Sequence, residues 1–333
     1  MLWWVAAPLV SMVMPVRDEA PYLTEALASL SAQTLEDFEV LVVDDGSRDG
    51  SAEIAESHAR EDPRFRVLRR RQSGLVPALE HARAEACGRY VARMDGDDVA
   101  LPRRFELQVA ALEADNRLAA CGGGIAYFPE ETVREGARRY ERWINGLVTV
   151  ESAARDVFVE CPIPHPTLMA RRELLEYRPC DWPEDYDLVL QLWARGERFR
   201  NVEEVVLRWR DHPDRLSRTA PRYSRDAFIR CKVAHLRATL LRGFESVIIW
   251  GAGPVGKSFA RELGQQVVAF VDVDPRKIGK QIYGAPVVAL EAALAFADSF
   301  ALGAVAGEEA RAEIRAAVAA QGRRDGVDFV AVA

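Results

Sequence analysis

The chain has 333 residues, of which 49% are hydrophobic and 29% charged, and its formal net charge at pH 7 is -7. This balance is that of a folded globular protein and excludes a disordered or fibrous one, while the length predicts two domains. The negative charge offers no overall attraction to nucleic acid or to an anionic membrane.

The cysteines and the N-terminal segment indicate where the protein resides. Five cysteines without a CxxC pair are typical of a reducing cytoplasm and give no sign of a structural zinc site. The opening segment MLWWVAAPLVSMVMPV is apolar, but two prolines interrupt it and it carries no basic leader or cleavage site. Its uninterrupted part is too short to cross a bilayer. We interpret it as a lead-in followed by a buried strand, and predict a cytoplasmic protein without a membrane span.

The first part of the chain alternates strand-like and helix-like patterns. Short apolar runs predict strands, and amphipathic stretches predict helices. The predicted strand segments are VSMVMPV (Val10–Val16), EVLVVDDGS (39–47), which ends in acid and glycine, FRVLRR (65–70) and RYVARMDGDD (89–98). The helices between them are YLTEALASLSAQ (22–33), SAEIAESHAR (51–60) and PALEHARAEACG (77–88). Strands that alternate with helices predict an α/β fold with a doubly wound sheet.

Polar and acidic residues follow three of these strands. In chain order they are Arg17, Asp18 and Glu19, then Asp44 and Asp45, then Asp95, Asp97 and Asp98. Ligands of such sheets bind at the carboxyl ends of the strands. We therefore expect these side chains to meet at one edge of the sheet.

The rest of the chain predicts a second domain. From Cys121 to Thr219 the pattern is less regular, and a helical stretch (Tyr223–Leu241) follows. SVIIWGAG then begins a new strand–turn–helix unit. We predict a first domain of residues 1–242, ending in a helical segment at about 220–242, and a small α/β domain of residues 243–333.

The run Asp95-Gly96-Asp97-Asp98 is a candidate metal site. Carboxylates this close together in a loop can hold a hard divalent ion and leave positions open for diphosphate oxygens. The run is equally consistent with a solvated turn, because Asp and Gly are common turn residues. Taken alone it leaves both interpretations open.

Its neighbours resemble the motifs of family-two glycosyltransferases of the GT-A fold. The matching segments, in order, are PVRDEA (Pro15–Ala20), VVDDGSRDGS (Val42–Ser51), SGLVPALEHARAEACGRYVARMDGDD (73–98), PHPTLMARREL (Pro164–Leu174), PEDYDLVLQLWARGE (Pro183–Glu197) and RWRDHPDRLS (Arg208–Ser217). The resemblance covers about residues 9–218. It implies a doubly wound mixed sheet and an inverting, metal-dependent transfer from a nucleoside diphosphate sugar.

The resemblance implies a role for each matching position. Asp185 aligns with the catalytic base, and Asp45, with Asp44, is expected to accept a hydrogen bond from the uracil imide. The residues expected at the nucleotide sugar are Pro15, Arg17, Glu19, Asp44, Asp45, Gly74, Asp95 and His212. Those expected at an Mn2+ or Mg2+ ion are Asp95, Asp97 and His212.

These roles suit the chemistry of glycosyl transfer. Breaking the bond between sugar and phosphate moves charge onto the leaving diphosphate, and a divalent ion stabilises that charge. The acceptor hydroxyl is a poor nucleophile until a carboxylate takes its proton. A single base on the face opposite the leaving group gives inversion.

Some positions depart from the family or stay open. Glu80 stands where the family usually has asparagine, and residues 191–195 (QLWAR) do not match the QxxRW signature of processive synthases. We therefore expect one sugar to be transferred per encounter. Glu184 has either a direct role or only a structural one, in which it orients its loop or caps the following helix, and His165, between two prolines, is expected to be structural.

A second glycine motif opens the C-terminal domain. Gly251, Gly253 and Gly256 follow an apolar strand, and Asp272 ends the next strand. In this context the spacing is typical of a Rossmann-like turn, which can bind phosphate at a helix N-terminus. The short tail leaves open whether these residues form a nucleotide site or a structural module.

The whole arrangement, including IWGAG, VVAFVDVDPRKIG and RRYERWINGL (Arg138–Leu147), resembles glycosyltransferases that galactosylate queuosine in tRNA. It implies a UDP-hexose donor and a tRNA acceptor, and the arginine clusters offer phosphate contacts. A cell-surface or lipid-linked saccharide is the alternative acceptor. An NAD(P)-dependent oxidoreductase built on the C-terminal motif and a non-catalytic nucleotide-sugar-binding protein are the alternatives from other classes.

Overall fold

The computed structural model describes residues 7–333. The predicted lead-in at residues 1–6 lies outside them. In the part of the chain that is described, no helix combines the length and apolar character needed to cross a bilayer.

The described residues form fourteen strands and eleven α-helices. The strands are β1 (Val10–Val16), β2 (Phe38–Asp44), β3 (Phe65–Arg69), β4 (Tyr90–Arg93), β5 (Val99–Ala100), β6 (Leu118–Phe128), β7 (Met169–Arg171), β8 (Arg198–Arg210), β9 (Val247–Trp250), β10 (Val267–Val271), β11 (Gln281–Ile282), β12 (Ala285–Val288), β13 (Phe300–Gly303) and β14 (Phe329–Ala331). The helices are α1 (Ala20–Ser31), α2 (Ser51–Glu61), α3 (Leu75–Glu85), α4 (Arg104–Ala114), α5 (Glu135–Asn145), α6 (Val150–Arg155), α7 (Glu184–Ala194), α8 (Leu216–Thr219), α9 (Arg225–Ala238), α10 (Pro254–Leu263) and α11 (Glu308–Ala320).

Internal contacts divide the chain into two compact units. Among the described residues, the first contains 7–154, Pro162–Pro179 and Arg195–Arg218. The second contains Arg155–Cys161, Cys180–Ala194 and Thr219–Ala333. The predicted domains, 1–242 and 243–333, each contain one of the two sheets, whereas the compact units follow the internal contacts. The predicted domain boundaries stay a prediction.

The first unit is built on an eight-stranded mixed sheet with the order β3-β2-β1-β4-β7-β6-β8-β5. β1 pairs in parallel with β2 and with β4, and β2 pairs in parallel with β3. β7 runs antiparallel to β4 and β6, and β5 runs antiparallel to β8. The predicted strand–helix alternation is present from β1 to β4.

Helix α1 packs against the first strands through an apolar face. A proline in its first turn suits the helix N-terminus, where a missing N–H costs nothing. Its buried residues Leu23, Ala26, Leu27 and Leu30 recur every three or four positions and form one apolar face. This face packs in the core with apolar residues of the neighbouring strands, among them Met12, and burying each leucine contributes about 1.5–3 kcal/mol.

The irregular stretch after Cys121 contains two long parallel strands that the pattern did not predict. β6 and β8 pair along most of their length, with register shifts near Gly123 and Gly124. A Cβ atom at Gly122 or Gly123 would collide with side chains of the paired strand. Glycine is therefore required for the close approach, and its lack of a side chain removes the apolar signal that identifies a strand.

The second unit contains a six-stranded sheet with the order β11-β12-β10-β9-β13-β14. β9 lies between β10 and β13 and is parallel to both, whereas β11 pairs antiparallel with β12. α10 connects β9 to β10, and α11 connects β13 to β14. Helices α7 and α9 belong to this unit and contact each other.

Candidate active site

The acidic residues after β1, β2 and β4 meet at one edge of the first sheet. Val16, the last residue of β1, pairs with Asp44 at the end of β2. On the other side of β1, Val13 pairs with Arg93 at the end of β4. Because parallel strands end at the same edge, the segments that follow them lie close together, as the sequence predicts.

Side chains fasten the loop after β1 to the loop after β2. Asp18 adopts φ 54° and its N–H donates to Ser47 Oγ at 3.0 Å. The N–H of Glu19 donates to Ser51 Oγ at 2.8 Å, which fixes the chain where it enters α1. Pro15 is buried within β1, and Arg17 is exposed, with its Nε 3.7 Å from Asp18. The residues predicted near the nucleoside therefore lie at an edge of the sheet where hydrogen bonds join the two loops.

Asp45 holds the glycine loop that precedes α3. Its carboxylate accepts from the N–H of Ser73 at 2.9 Å, from Ser73 Oγ at 3.0 Å and from the N–H of Gly74 at 2.7 Å. Asp44 accepts from the N–H of Ser47 at 3.1 Å within its own turn. Both carboxylates are almost fully buried. Asp45 thus orders the predicted nucleotide-binding loop, and its contact with uracil stays a prediction.

Asp95, Asp97 and Asp98, which we call the acid cluster, can each offer a carboxylate oxygen within 4.8 Å of the others. Asp98 is 0% exposed. One of its oxygens accepts from the N–H of Arg210 at 2.8 Å, and Oδ2 has no hydrogen-bond partner among the described residues. A buried carboxylate oxygen without a donor is costly unless a proton or a cation meets it.

Basic side chains surround the acid cluster. The guanidinium of Arg93 donates to both oxygens of Asp95, with Nη1 2.6 Å from Oδ2 and Nη2 closer still to Oδ1. His212 Nε2 lies 2.8 Å from Asp97 Oδ2. The Nε of Arg210 donates to the carbonyl oxygen of Asp97 at 2.7 Å. The loop after β8 therefore reaches the acid cluster, and His212 orients Asp97 in this arrangement, while its role as a metal ligand stays a prediction.

The electrostatics of this edge favour a cation. Burial, together with the negative charges of Asp97 and Asp95, raises the pKa of Glu19 to about 8. Burial and the same two charges raise the pKa of Asp98 well above its ordinary value. Burial is the larger cause of both shifts and the neighbouring carboxylates add to it, so the ionised form of each group is disfavoured unless a cation offsets its charge. The oxygen-only donors and the unpartnered Oδ2 of Asp98 fit a hard ion such as Mn2+ or Mg2+.

Sequence reasoning did not assign roles to Asp98, Arg93 and Arg210. Asp98 could have been found, because it is part of the same acidic run. The two arginines lie within segments that match the family, 73–98 and Arg208–Ser217, but the resemblance assigns them no role. Arginine is common throughout this chain, so residue type alone did not single them out.

Asp185, the predicted base, belongs to the second unit and lies in the first turn of α7. It is partly exposed, and one of its oxygens accepts from the N–H of Tyr186 at 2.8 Å. Glu184 is buried and accepts from the hydroxyl of Tyr223 at 2.6 Å. The structural interpretation of Glu184 is supported by this contact, and the role of Asp185 stays a prediction.

Two histidines are held by buried hydrogen bonds. His165 Nε2 lies 2.7 Å from the hydroxyl of Tyr177, and burial and the charge of Arg93 lower the pKa of His165 well below its ordinary value. His235 Nε2 lies 2.8 Å from Asp187 in the second unit. The expected structural role of His165 agrees with this contact.

The glycine turn of the second unit packs tightly. Gly251 adopts φ 112°, which favours glycine, and a Cβ atom at Gly256 would collide with the carbonyl oxygen of Gly251. The carboxylate of Asp272 accepts from the N–H of Ala252 at 2.8 Å, from the N–H of Asp274 at 2.9 Å and from Lys277 Nζ at 2.9 Å. In dinucleotide sites the acid at this position binds a ribose hydroxyl, whereas here it braces its own loop.

Comparison with known proteins places the chain in a family. The model of the family described as "Glycosyl transferase family 2" matches residues 11–178. A Bacillus subtilis protein named as a glycosyltransferase, EpsE, is 31% identical over 66% of this chain and 80% of its own length. The amylovoran biosynthesis glycosyltransferase AmsE of Erwinia amylovora is 27% identical over 61% of this chain and 75% of its own length.

A solved structure shows the same fold. The crystal structure of S. aureus TarS in complex with UDP-GlcNAc has a TM-score of 0.56 and 17% identity, covering 76% of this chain and 71% of that one. The predicted fold class, an α/β GT-A fold with a mixed sheet, is confirmed. Together with the acidic edge of the first sheet, the matching family model and the relatives establish that this chain belongs to glycosyl transferase family 2 and is a transferase.

Proposed function

We propose that the protein transfers a hexosyl group from a UDP-sugar to a saccharide hydroxyl, with inversion and with Mn2+ or Mg2+ at the acid cluster. The observation that carries the proposal is the acid cluster itself, which includes the buried, unpartnered Oδ2 of Asp98. It lies at the sheet edge that also carries Asp44 and Asp45. A divalent ion bound there supplies positive charge to the diphosphate as the sugar leaves.

The residues of the chain have separable tasks in this proposal. Asp45 and the loop at Ser73 and Gly74 form the nucleoside side of the site, because their hydrogen bonds already order that loop. His212 fixes the orientation of Asp97, which prepares the site before the donor arrives.

Asp185 acts as the base. The acceptor oxygen forms a bond to the anomeric carbon while the bond from that carbon to the phosphate oxygen breaks. The electron pair of the broken bond goes to UDP, and the proton of the acceptor hydroxyl goes to Asp185. Asp185 lies partly exposed in the first turn of α7, where the helix N-terminus favours a negative charge.

The donor and the acceptor class rest on relatives. The solved structure of similar fold contains UDP-GlcNAc, and the name of AmsE assigns that protein to the synthesis of amylovoran. Both support a UDP-sugar donor and a saccharide acceptor for this chain. The tRNA acceptor implied by the whole-chain resemblance stays a prediction, as does the Rossmann-like nature of the C-terminal sheet.

The test measures UDP release from a panel of UDP-sugars, and from GDP-mannose, with Mn2+ or with EDTA. Each donor is assayed alone, with an oligosaccharide mixture and with total tRNA. The proposal predicts metal-dependent release from one UDP-sugar that rises with a saccharide acceptor. A rise with tRNA alone would move the acceptor to a nucleoside. Release only from GDP-mannose would overturn the proposed donor, and no release would overturn the catalytic proposal and favour a nucleotide-sugar-binding role.

A further inference from the structure

We propose that Arg93 is a positioning residue of the cation site, which holds Asp95 in place and, through its positive charge, limits how tightly the acid cluster binds a divalent ion. This inference rests on the proposed function. It concerns a residue to which the family resemblance assigns no role, and it predicts opposite effects on two measurable quantities.

Arg93 is fixed through both its backbone and its side chain. It is the last residue of β4, its N–H donates to the carbonyl oxygen of Leu168 at 2.9 Å, and its own carbonyl accepts from Arg104 Nη2 at 2.7 Å. Its side chain is 4% exposed. The backbone of Arg93 is thus anchored at the end of β4, and its guanidinium is enclosed beside Asp95.

The pairing with Asp95 is bidentate. Nη1 and Nη2 of Arg93 each donate to a different oxygen of Asp95, which fixes the plane of the carboxylate as well as its position. Asp97 is oriented by a different group, His212, and Asp98 keeps one oxygen without a partner. The oxygens best placed to meet an ion are therefore those of Asp97 and Asp98, because Arg93 already occupies both oxygens of Asp95.

The positive charge of Arg93 should weaken the binding of a divalent cation at the acid cluster. A unit positive charge a few ångströms from the ion repels it, even when the interaction is strongly screened. Removing that charge should strengthen cation binding and at the same time release Asp95 from its fixed orientation. A purely structural arginine predicts the reverse, because a disordered strand end would weaken the cation site.

The experiment measures two quantities for each variant. The first is the affinity for Mn2+ in the absence of donor, from the electron paramagnetic resonance signal of free Mn2+. The second is kcat/KM for the UDP-sugar that the wild type uses. The variants are Arg93→Met, which removes the charge, and Arg93→Lys, which keeps it but cannot form the bidentate pair.

Arg171→Met is the matched control. Arg171 lies in the neighbouring strand β7, is partly buried, and donates to the carbonyl oxygens of Leu118 and Leu112 at 2.9 and 2.8 Å. Its replacement removes a comparable side chain without removing a partner of the acid cluster. Thermal melts of all variants establish that the fold is retained.

We expect Arg93→Met to bind Mn2+ about five- to tenfold more tightly than the wild type, while its kcat/KM falls at least about tenfold. Arg93→Lys should keep the wild-type Mn2+ affinity within about twofold and still lose kcat/KM. Arg171→Met should leave Mn2+ affinity unchanged.

Unchanged or weaker Mn2+ binding by a folded Arg93→Met overturns the inference. If that variant does not fold, Arg93→Gln replaces it, and if neither folds, an altered Mn2+ affinity of Arg93→Lys overturns the inference. The wild type and Asp97→Asn separate this result from the proposed function. If the wild type binds Mn2+ and Asp97→Asn does not, the cation site is supported. A failure of the Arg93 variants to behave as expected then counts against this inference alone. A wild type that binds no Mn2+ overturns both.

Discussion

Replacing Asp98 with asparagine should make the metal-free protein more stable and abolish its response to Mn2+. Asp98 is fully buried, lies beside two other carboxylates and has one oxygen without a donor. Asparagine has nearly the same shape, so its carbonyl oxygen can still accept from the N–H of Arg210. Its amide nitrogen can donate to a neighbouring aspartate. The change therefore replaces a buried carboxylate, whose ionisation burial and its acidic neighbours disfavour, with a neutral side chain that can donate a hydrogen bond.

The magnitude follows from these contacts. A buried polar group without a partner costs about 1–3 kcal/mol, and the asparagine recovers part of that cost, so we expect a gain of about 1 kcal/mol. For a unit of this size that gain corresponds to a rise in Tm of about 2–4 °C in EDTA. The wild type should gain about 2.7 kcal/mol at an Mn2+ concentration one hundred times its Kd. Asp98→Asn should gain almost nothing, because a ligand charge is lost.

The assay is thermal unfolding followed by circular dichroism, with EDTA and with a series of Mn2+ concentrations. Glu113→Gln is the control, because Glu113 is an exposed acid that pairs with Arg89 at 3.2 Å. It should change neither the Tm in EDTA nor the Mn2+ response. An undiminished Mn2+ response of Asp98→Asn would refute the assignment of Asp98 as a cation ligand. A lower Tm of this variant in EDTA would refute the argument that the unpartnered oxygen of Asp98 destabilises the metal-free protein.

Three further predictions concern other parts of the chain. Asp185→Asn should lower kcat at least about a hundredfold in the UDP-release assay and leave UDP binding by calorimetry unchanged, and a kcat within twofold of the wild type would exclude this residue as the base. Asp45→Ala should cost about 2 kcal/mol of unfolding free energy in urea, because donors in the 73–74 loop lose their acceptor, and unchanged stability would contradict the bracing role. Gly256→Ala should cost about 1–3 kcal/mol, since its Cβ would meet the carbonyl of Gly251, and a variant that melts like the wild type would show that the turn can yield.

The sequence was sufficient to predict the elements that build the acidic edge. The apolar runs that became β1, β2, β3 and β4, and the amphipathic stretches between them, carry clear periodicity. Acids placed directly after parallel strands must gather at one edge, whatever the details of packing. The family motifs added the reaction class, which periodicity does not contain.

β6 and β8 could not be predicted in the same way. β6 includes the run Gly122–Gly124, which has no side chains to show an apolar alternation. Glycine stands at Gly122 and Gly123 because a Cβ atom there would collide with side chains of β8. Such a requirement depends on a partner strand about eighty residues away, and local sequence patterns do not record it.

The sequence by itself therefore determined the strand–helix alternation, the position of the acid cluster and the transferase family. Only the tertiary structure decided which side chains meet which partners. Arg93 contacts Asp95, His212 contacts Asp97, and the carboxylate of Asp45 accepts from the loop at Ser73. Hydrogen bonds act over about 3 Å, so partners distant in sequence become specific only when the sheet brings their strand ends together.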